Sequence, residues 1–382
     1  MPATHTLIVQ TANAIYPDDV GGLGVHCYEL ALEQAKNGNS VSVITPLRRN
    51  NSSMHERVSD SFDLFRLRSP HAPWTILGMD NPYLPSLPHL VRDLKPNIVH
   101  AHSHLFLMNL QAVMIAKRLR IPSFVSVHGV FAQRDILTNL AQLGYIATIS
   151  SWMLAHCSRI ICLTHSDASL LHTFGIKRNK IRIIPPGINT DLFRPREERE
   201  GNVLWVGRFV PEKGLDMLLR VATIVRHRLG RSVKFLLVGE GPLKPRIASL
   251  VREHGLQDCV ELLPAKSQTD IAKLVGDCSL LVLPSVRERL YKVVLEGMSC
   301  EKPVIAFDLP GLRAPIGDSA GILVPRYNVL GFAEAIITLL QDRALRRKLG
   351  QSGRRRAITE YSWPVVSALI SKLYSETLSL YP

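Results

Sequence analysis

Three features of this sequence predict an α/β protein built from two doubly wound, Rossmann-like domains that face a central cleft. Short unalternating Val, Ile and Leu runs recur between amphipathic stretches, the pattern of parallel strands buried on both faces. That alternation breaks once, at a polar stretch near mid-chain, and then starts again. The length of 382 residues suits two such domains at roughly 100 to 200 residues each.

In the first half the strand runs are Leu7 to Thr11, Val41 to Thr45, Ile98 to His102, Phe124 to His128, Ile160 to Thr164 and Ile181 to Pro185. Helical stretches such as Val25 to Lys36 and Leu105 to Arg118 lie between them. After Pro185-Pro186-Gly187 the chain turns polar from Asn189 to Asn202, a linker composition. Strands then resume at Val203 to Val206, Phe235 to Val238, Val260 to Leu263, Leu280 to Leu283 and Val304 to Ala306. Their helices are Leu215 to Leu229, Lys244 to Glu253, Thr269 to Val275 and Val293 to Ser299. The domains are therefore expected at residues 1–187 and 188–362, with one more amphipathic helix in 363–382. A ligand is expected between the domains, at the carboxyl ends of the strands.

Hydrophobic residues at 46% and charged residues at 20%, with a mean hydropathy of +0.09, exclude a disordered chain. The 46 Lys and Arg against 32 Asp and Glu leave a charge of +14, which asks for an anionic partner: nucleic acid, a membrane surface or phosphate-bearing small molecules. Denser spots are Lys177, Arg178, Lys180 and Arg182, and the run from Arg343 through Arg346, Arg347, Lys348 and Arg354 to Arg356, which reads as one face of a surface helix. Few aromatic residues are interleaved for bases to stack on, so a solvated basic face is a simpler reading than a nucleic-acid groove and nucleic acid is not expected; membrane attraction is the better functional reading. The six cysteines form no C-x-x-C pair, and most lie in apolar segments where thiols act as small hydrophobes, a pattern that fits a reducing cytosol. No secretory signal is recognisable, and no apolar run approaches the roughly 18 residues that span a bilayer. A cytoplasmic location follows as the expectation, with any membrane contact peripheral.

Five segments carry candidate chemistry. Pro17-Asp18-Asp19-Val20-Gly21-Gly22-Leu23-Gly24 joins the first strand to a helix. Its glycines let backbone approach a ligand at a helix N-terminus, although a tight turn explains them equally well. Its spacing matches neither the dinucleotide fingerprint nor the P-loop. His100, His102 and His104 alternate at a strand end; no carboxylate or Cys completes a metal set, so hydrogen-bonded packing is the simpler reading. His128-Gly129 places a further imidazole at the same sheet edge. Gly207-Arg208-Phe209-Val210-Pro211-Glu212-Lys213-Gly214 brings Arg208 and Lys213 to a helix N-terminus, where dipole and cations together select phosphate oxygens. Glu288 and Glu296 flank a strand-to-helix junction, and paired carboxylates accept the hydroxyls of sugar and ribose diols.

Taken in order, these segments resemble a family 4 glycosyltransferase of the GT-B fold, retaining enzymes that use nucleotide-sugar donors. The resemblance covers nearly the whole chain. It runs through Pro17 to Gly22, Asn97-Ile98-Val99-His100-Ala101-His102, Val127-His128-Gly129, Pro186-Gly187-Ile188-Asn189, Gly207 to Gly214, Val238-Gly239-Glu240-Gly241-Pro242, and Glu288 and Glu296 before Lys302-Pro303-Val304. It implies that Arg208 and Lys213 hold the donor diphosphate, that Glu296 takes the ribose and Glu288 the donor sugar, and that His128 lies close to that sugar. Gly21, Gly22, Lys292 and Val293 complete the donor-binding set. It also implies that the helix from Trp363 returns to the first domain.

No Asp-x-Asp occurs in the sequence, so no metal and no other cofactor is expected, and the two cations are left to neutralise the leaving group. The partners implied are a nucleotide-sugar donor and a sugar or lipid-linked acceptor, such as a cell-surface glycan precursor, with peripheral contact to an anionic membrane. The segment His71 to Leu94, rich in apolar residues and proline, reads either as an ordinary packed loop or as a lipid-facing patch. The donor loop Glu288-Arg289-Leu290-Tyr291 departs from the glycine-rich family pattern, and Glu301 stands where glycine is usual. Lys292 then reads as a third diphosphate cation and Tyr291 as a residue that packs on the sugar or closes the cleft, with an ordinary exposed lysine and a packed tyrosine as the equal alternative. A nucleotide-sugar epimerase of the same fold and a catalytically silent relative are the competing readings.

Overall fold

The computed structural model describes residues 6–19, 21–48, 53–69, 75–76, 79–130, 136–230, 233–288 and 291–381. The chain divides into two units, Met1–Gly187 with Trp363–Pro382, and Ile188–Ser362.

The first unit begins β1 (Leu7–Ala12), α1 (Gly22–Lys36), β2 (Ser40–Pro46), β3 (His55–Ser59), β4 (Phe62–Leu67), β5 (Thr75–Ile76), β6 (Met79–Asp80) and α2 (Leu87–Leu94). It continues with β7 (Ile98–His102), α3 (Leu107–Leu119), β8 (Ser123–Val127), α4 (Ile136–Tyr145), a π-helical turn at Ile146–Ser150, α5 (Ser151–His156), β9 (Arg159–Cys162), α6 (His165–Thr173) and β10 (Ile181–Ile183). Its main sheet has the order β10-β9-β8-β7-β1-β2-β4-β3. All neighbours are parallel except the β3/β4 hairpin, whose largely exposed, charged β3 blunts the sheet edge. Thr164 caps α6 by accepting from the Asp167 amide, as a Ser or Thr followed three residues later by an acid should.

The second unit carries β11 (Asn202–Val206), α7 (Leu215–Leu229), β12 (Lys234–Val238), α8 (Lys244–Glu253), β13 (Val260–Leu263), α9 (Gln268–Asp277) and β14 (Leu280–Leu283). After these come α10 (Lys292–Ser299), β15 (Val304–Phe307), α11 (Pro310–Ile316), β16 (Gly321–Val324), α12 (Val329–Gln341) and α13 (Arg343–Glu360). Its all-parallel sheet has the Rossmann order β13-β12-β11-β14-β15-β16. One core packs Trp205, Leu219, Phe235 and Phe332 on one face; the other packs Leu204, Leu281, Leu295 and Met298 on the opposite face. Both faces are covered, as unalternating strands require.

The last helix, α14 (Trp363–Leu378), belongs to the first unit. Val366, Ile370, Leu373 and Tyr374 are buried against Ile8, Ile98 and Phe124. Each fully buried side chain of this kind contributes about 1.5–3 kcal/mol. Trp363 donates from Nε1 to Glu29 at 3.1 Å.

The structure sharpens two of the sequence readings. The basic run on α13 is split: Arg343, Arg347, Lys348 and Arg355 are exposed as a surface face requires, whereas Arg346 is buried and donates to the Leu339 carbonyl, and Arg354 donates to the carbonyls of Thr190, Phe193 and Ser299. A cation aimed at unsatisfied carbonyls inside the fold is unavailable to a membrane. In the segment 71–94, Leu84 and Leu87 are fully buried in a core with α2 and α3, so they form no lipid-facing surface. Residues 71–74, 77 and 78 lie outside the described residues.

Candidate active site

In the second unit β11 and β14 are neighbours, while the helices that follow them, α7 and α10, pack on opposite faces of the sheet. A crevice opens at the carboxyl end of such a reversal. The loop leaving β11 passes Arg208, makes a 3-10 turn at Pro211–Lys213 and enters α7. Gly214 sits at φ 66°, and a Cβ there would stand 2.1 Å from the Pro284 carbonyl oxygen, so glycine alone lets this loop touch the loop after β14. Gly239 does the same for the loop after β12: at φ 147°, its Cβ would lie 1.9 Å from the Gly207 oxygen. The Val286 amide donates to the Glu212 carbonyl at 2.9 Å and closes the frame.

Within this frame Lys213 Nζ donates to both carboxylate oxygens of Glu288, at 2.7 and 2.9 Å. The lysine side chain is 22% exposed and the glutamate 9%. An ammonium has three N–H groups, so one remains for another acceptor after two go to Glu288. Arg208 is exposed, and its guanidinium has no ion pair or hydrogen bond among the described residues. Lys244 is a cation the sequence reading did not single out; it is tied to Glu240 at 2.7 Å and lies over the Phe209 ring.

Glu296 is buried at 3% exposure in the second turn of α10, nearer the helix start than the two turns expected from sequence. Lys292 and Val293 open that helix, where backbone amides have no partner within the helix. Lys292 is buried, not an ordinary surface lysine. Tyr291 is buried in the core with Val294 and Leu295, the packed alternative of its two sequence readings and not the sugar-packing one. Arg289 and Leu290 lie outside the described residues. Glu301 adopts φ 60°, the left-handed conformation that favours glycine, so the substitution kept the backbone of a glycine position.

In the first unit β1 and β7 are the neighbours at the reversal of strand order. Gly21 caps α1, and its amide donates to Asp19 Oδ1 at 2.6 Å, so that donor is engaged inside the loop. Gly22, first in the helix, has no carbonyl within the helix to serve. Arg66, 3% exposed and unremarked in the sequence, holds the same loop by donating to Asp18 at 2.6 Å and to Glu56 at 2.8 Å.

The histidines at the strand ends form a hydrogen-bonded chain. Gln10 donates to Gln34 at 2.7 Å, which leaves the Gln10 oxygen to accept from His102 Nε2 at 3.0 Å. His102 Nδ1 is then the acceptor for His128 Nε2 at 3.3 Å, and His128 Nδ1 is a bare lone pair with no partner among the described residues. His100 is held by the Tyr374 hydroxyl at 2.6 Å and Ser126 at 2.7 Å, the packing role expected of it. Burial pushes His128 down to about 3, with His104 adding to it, and burial pushes His102 well down. All are therefore neutral near pH 7. His26, His102 and His128 hold ligand atoms within 4.8 Å of one another, the one such group among the described residues; it differs from the alternating trio of the sequence. His26 comes from α1 and only folding brings it there.

Two family models match the chain in tandem: Glycosyltransferase Family 4 over residues 20–192 and Glycosyl transferases group 1 over residues 190–356. The chain belongs to the family 4 glycosyltransferases. This glycosyltransferase is 26% identical over 402 residues to D-inositol 3-phosphate glycosyltransferase of Kineococcus radiotolerans, covering 93% of this chain and 90% of the relative. It is 32% identical over 175 residues to alpha-D-kanosaminyltransferase of Streptomyces kanamyceticus, covering 46% and 45%. Among solved structures, sucrose-phosphate synthase from Thermosynechococcus elongatus superposes with a TM-score of 0.82 at 24% identity, over 98% of this chain and 100% of that one. Anabaena HepE, solved in complex with UDP and glucose, gives 0.77 at 16% identity, over 97% and 100%. These likenesses show the GT-B fold of the glycosyltransferase.

Proposed function

We propose that this glycosyltransferase moves a hexose-type sugar from a nucleoside diphosphate to an acceptor hydroxyl, with retained anomeric configuration and without a divalent metal. The acceptor is lipid-linked or a cell-surface glycan precursor. The bond from the anomeric carbon to the diphosphate oxygen breaks, the acceptor oxygen bonds to that carbon, and the acceptor proton leaves with the diphosphate.

The observation that carries this reading is the Lys213–Glu288 pair at the strand-order reversal of the second unit. Its third N–H and the exposed Arg208 supply two cations for a leaving group that gains charge as the bond breaks. At about 4 Å and an effective dielectric near 20, Arg208, with no ion pair among the described residues, offers a phosphate charge roughly 4 kcal/mol before desolvation. Lys213 offers less because Glu288 offsets part of its charge. Glu288, held by the lysine, presents its oxygens to sugar hydroxyls, and Glu296 takes the ribose. Lys292 and Val293 bring the amino end of α10 to the phosphates. His128 is the sugar-facing residue of the first unit, and Gly22 the backbone amide there. The UDP complex of HepE supports a uridine donor as the first to try.

The test is a panel of nucleoside-diphosphate sugars, with and without lipid extracts, followed by diphosphate release and by proton NMR of the product. Release from one donor, unaffected by chelator, with the donor's anomeric configuration kept, is expected. Release from none, full dependence on added metal, or an inverted product refutes the proposal.

A further inference from the structure

Between Asp135 and Arg159 the sequence contains no Asp, Glu, Lys or Arg. That stretch is α4, the π-helical turn and α5, and its outer residues are apolar: Leu140 is 59% exposed, Leu143 41%, Ile149 42% and Trp152 42%. Leu140 and Leu143 stand one helical turn apart, and so do Ile149 and Trp152. The exposed positions between them are Ala141, Gly144, Ala147 and Thr148, which offer no charge either. An exposed surface this large and this apolar on a helix asks for a partner.

The rim of the patch says which partner. Lys117 Nζ lies over the Trp152 ring at 5.6 Å, and Arg118 and Arg120 follow it, exposed, at the end of α3. At the other end Lys180 donates to the carbonyls of Ala155 and Cys157, which sets the basic segment 177–182 beside the close of α5. Residues 95–187 carry ten Lys and Arg against two Asp and Glu, a net +8, whereas residues 1–94 carry seven against nine, a net −2. Cations therefore collect on the half of the unit that bears the apolar helix. A Trp and Leu face rimmed by cations matches the boundary between acyl chains and anionic headgroups. No helix among the described residues is long and apolar enough to cross a membrane, so the match is to lying on the surface.

We infer that the α4–α5 face docks this protein on an anionic lipid surface. The inference stands apart from the donor chemistry and is tested without donor. Flotation of the full chain with vesicles of phosphatidylcholine alone, and with phosphatidylglycerol added, reads it directly. Wild type should float with the anionic vesicles, and salt should weaken that binding. The double change Leu140→Glu and Leu143→Glu should lower it at least about tenfold, and each of Lys117→Ala, Arg118→Ala and Arg120→Ala about fivefold. Light scattering on the same samples tests the alternative that a second copy covers the face. No flotation by wild type, flotation by the leucine double variant equal to wild type, or a dimer that this double change dissociates would each overturn the inference. If the double variant fails to fold, the three cation variants decide alone: unchanged flotation in all of them overturns it.

Discussion

Lys213 and Glu288, 75 residues apart in sequence, form one hydrogen-bonded ion pair in which the ammonium spans both carboxylate oxygens. The cation assigned to phosphate and the carboxylate assigned to sugar are therefore not independent groups. Each fixes the other's rotamer, and a donor must fit both at once.

Lys213→Ala should lower turnover by about 10²–10³-fold, the cost of removing one preorganised charge from the leaving group. Glu288→Ala should also lower turnover, and the double variant should fall well short of the product of the two losses, with a coupling of about 0.5–3 kcal/mol. Initial rates of diphosphate release in the four-protein cycle check this. Strict additivity would separate the two roles.

Glu296 is buried on α10, and its proposed ribose contacts exist in ground and transition states alike. Glu296→Ala should weaken nucleoside and nucleoside diphosphate binding to the same extent, about tenfold, with little effect on the rate at saturation. Calorimetry with both ligands measures it; a loss confined to the diphosphate would contradict the ribose role.

Acid should unfold the first unit early. Burial holds His100 and His128 at about 3 and His104 at about 4, against 6.5 for an unperturbed histidine. Below about pH 6.5 the unfolded chain therefore binds protons that the folded chain refuses. Stability is full above that pH and falls as pH drops, by about 1.4 kcal/mol per pH unit for each such histidine. Urea midpoints at about pH 7.5 and about pH 5 test the sign. A midpoint that stays level or rises on acidification would show that these histidines are not buried as described.

Glu301 is held at φ 60° where α10 ends and the chain turns toward β15. Glu301→Gly should stabilise the second unit by about 1 kcal/mol, because an L side chain is strained in that conformation. Urea denaturation of this variant beside Glu301→Ala isolates the effect: the alanine keeps the strain and should give no gain. Equal midpoints for glycine and wild type would contradict it.

Much of this was legible in the chain. The strands β11, β12 and β14 are apolar runs without alternation, and the segments Gly207 to Gly214 and Glu288 to Glu296 fall on the loops that the strand order brings together. The hairpin β3/β4 was not legible, since the exposed β3 is short, charged and lacks a buried face. The pairing of Lys213 with Glu288, and of Arg66 with Asp18, depends on long-range packing that no local spacing encodes. Within the basic run on α13, Arg346 and Arg354 were not distinguishable from their exposed neighbours for the same reason: a cation that caps internal carbonyls has the same sequence signature as one in water. The uncharged stretch from Ile136 to Ser158 carries no sequence mark of exposure, yet it bears Leu140, Leu143, Ile149 and Trp152 on its outer face.

The central claim is that Lys213 organises a diphosphate site at the strand-order reversal of the second unit. Calorimetric titration of UDP and of uridine into wild type and Lys213→Ala tests it most directly. The account predicts that wild type binds UDP at least about tenfold more tightly than uridine, a gap of about 1.4 kcal/mol, and that this gap largely closes in the variant while uridine binding is kept. A UDP preference of undiminished size in Lys213→Ala would contradict it.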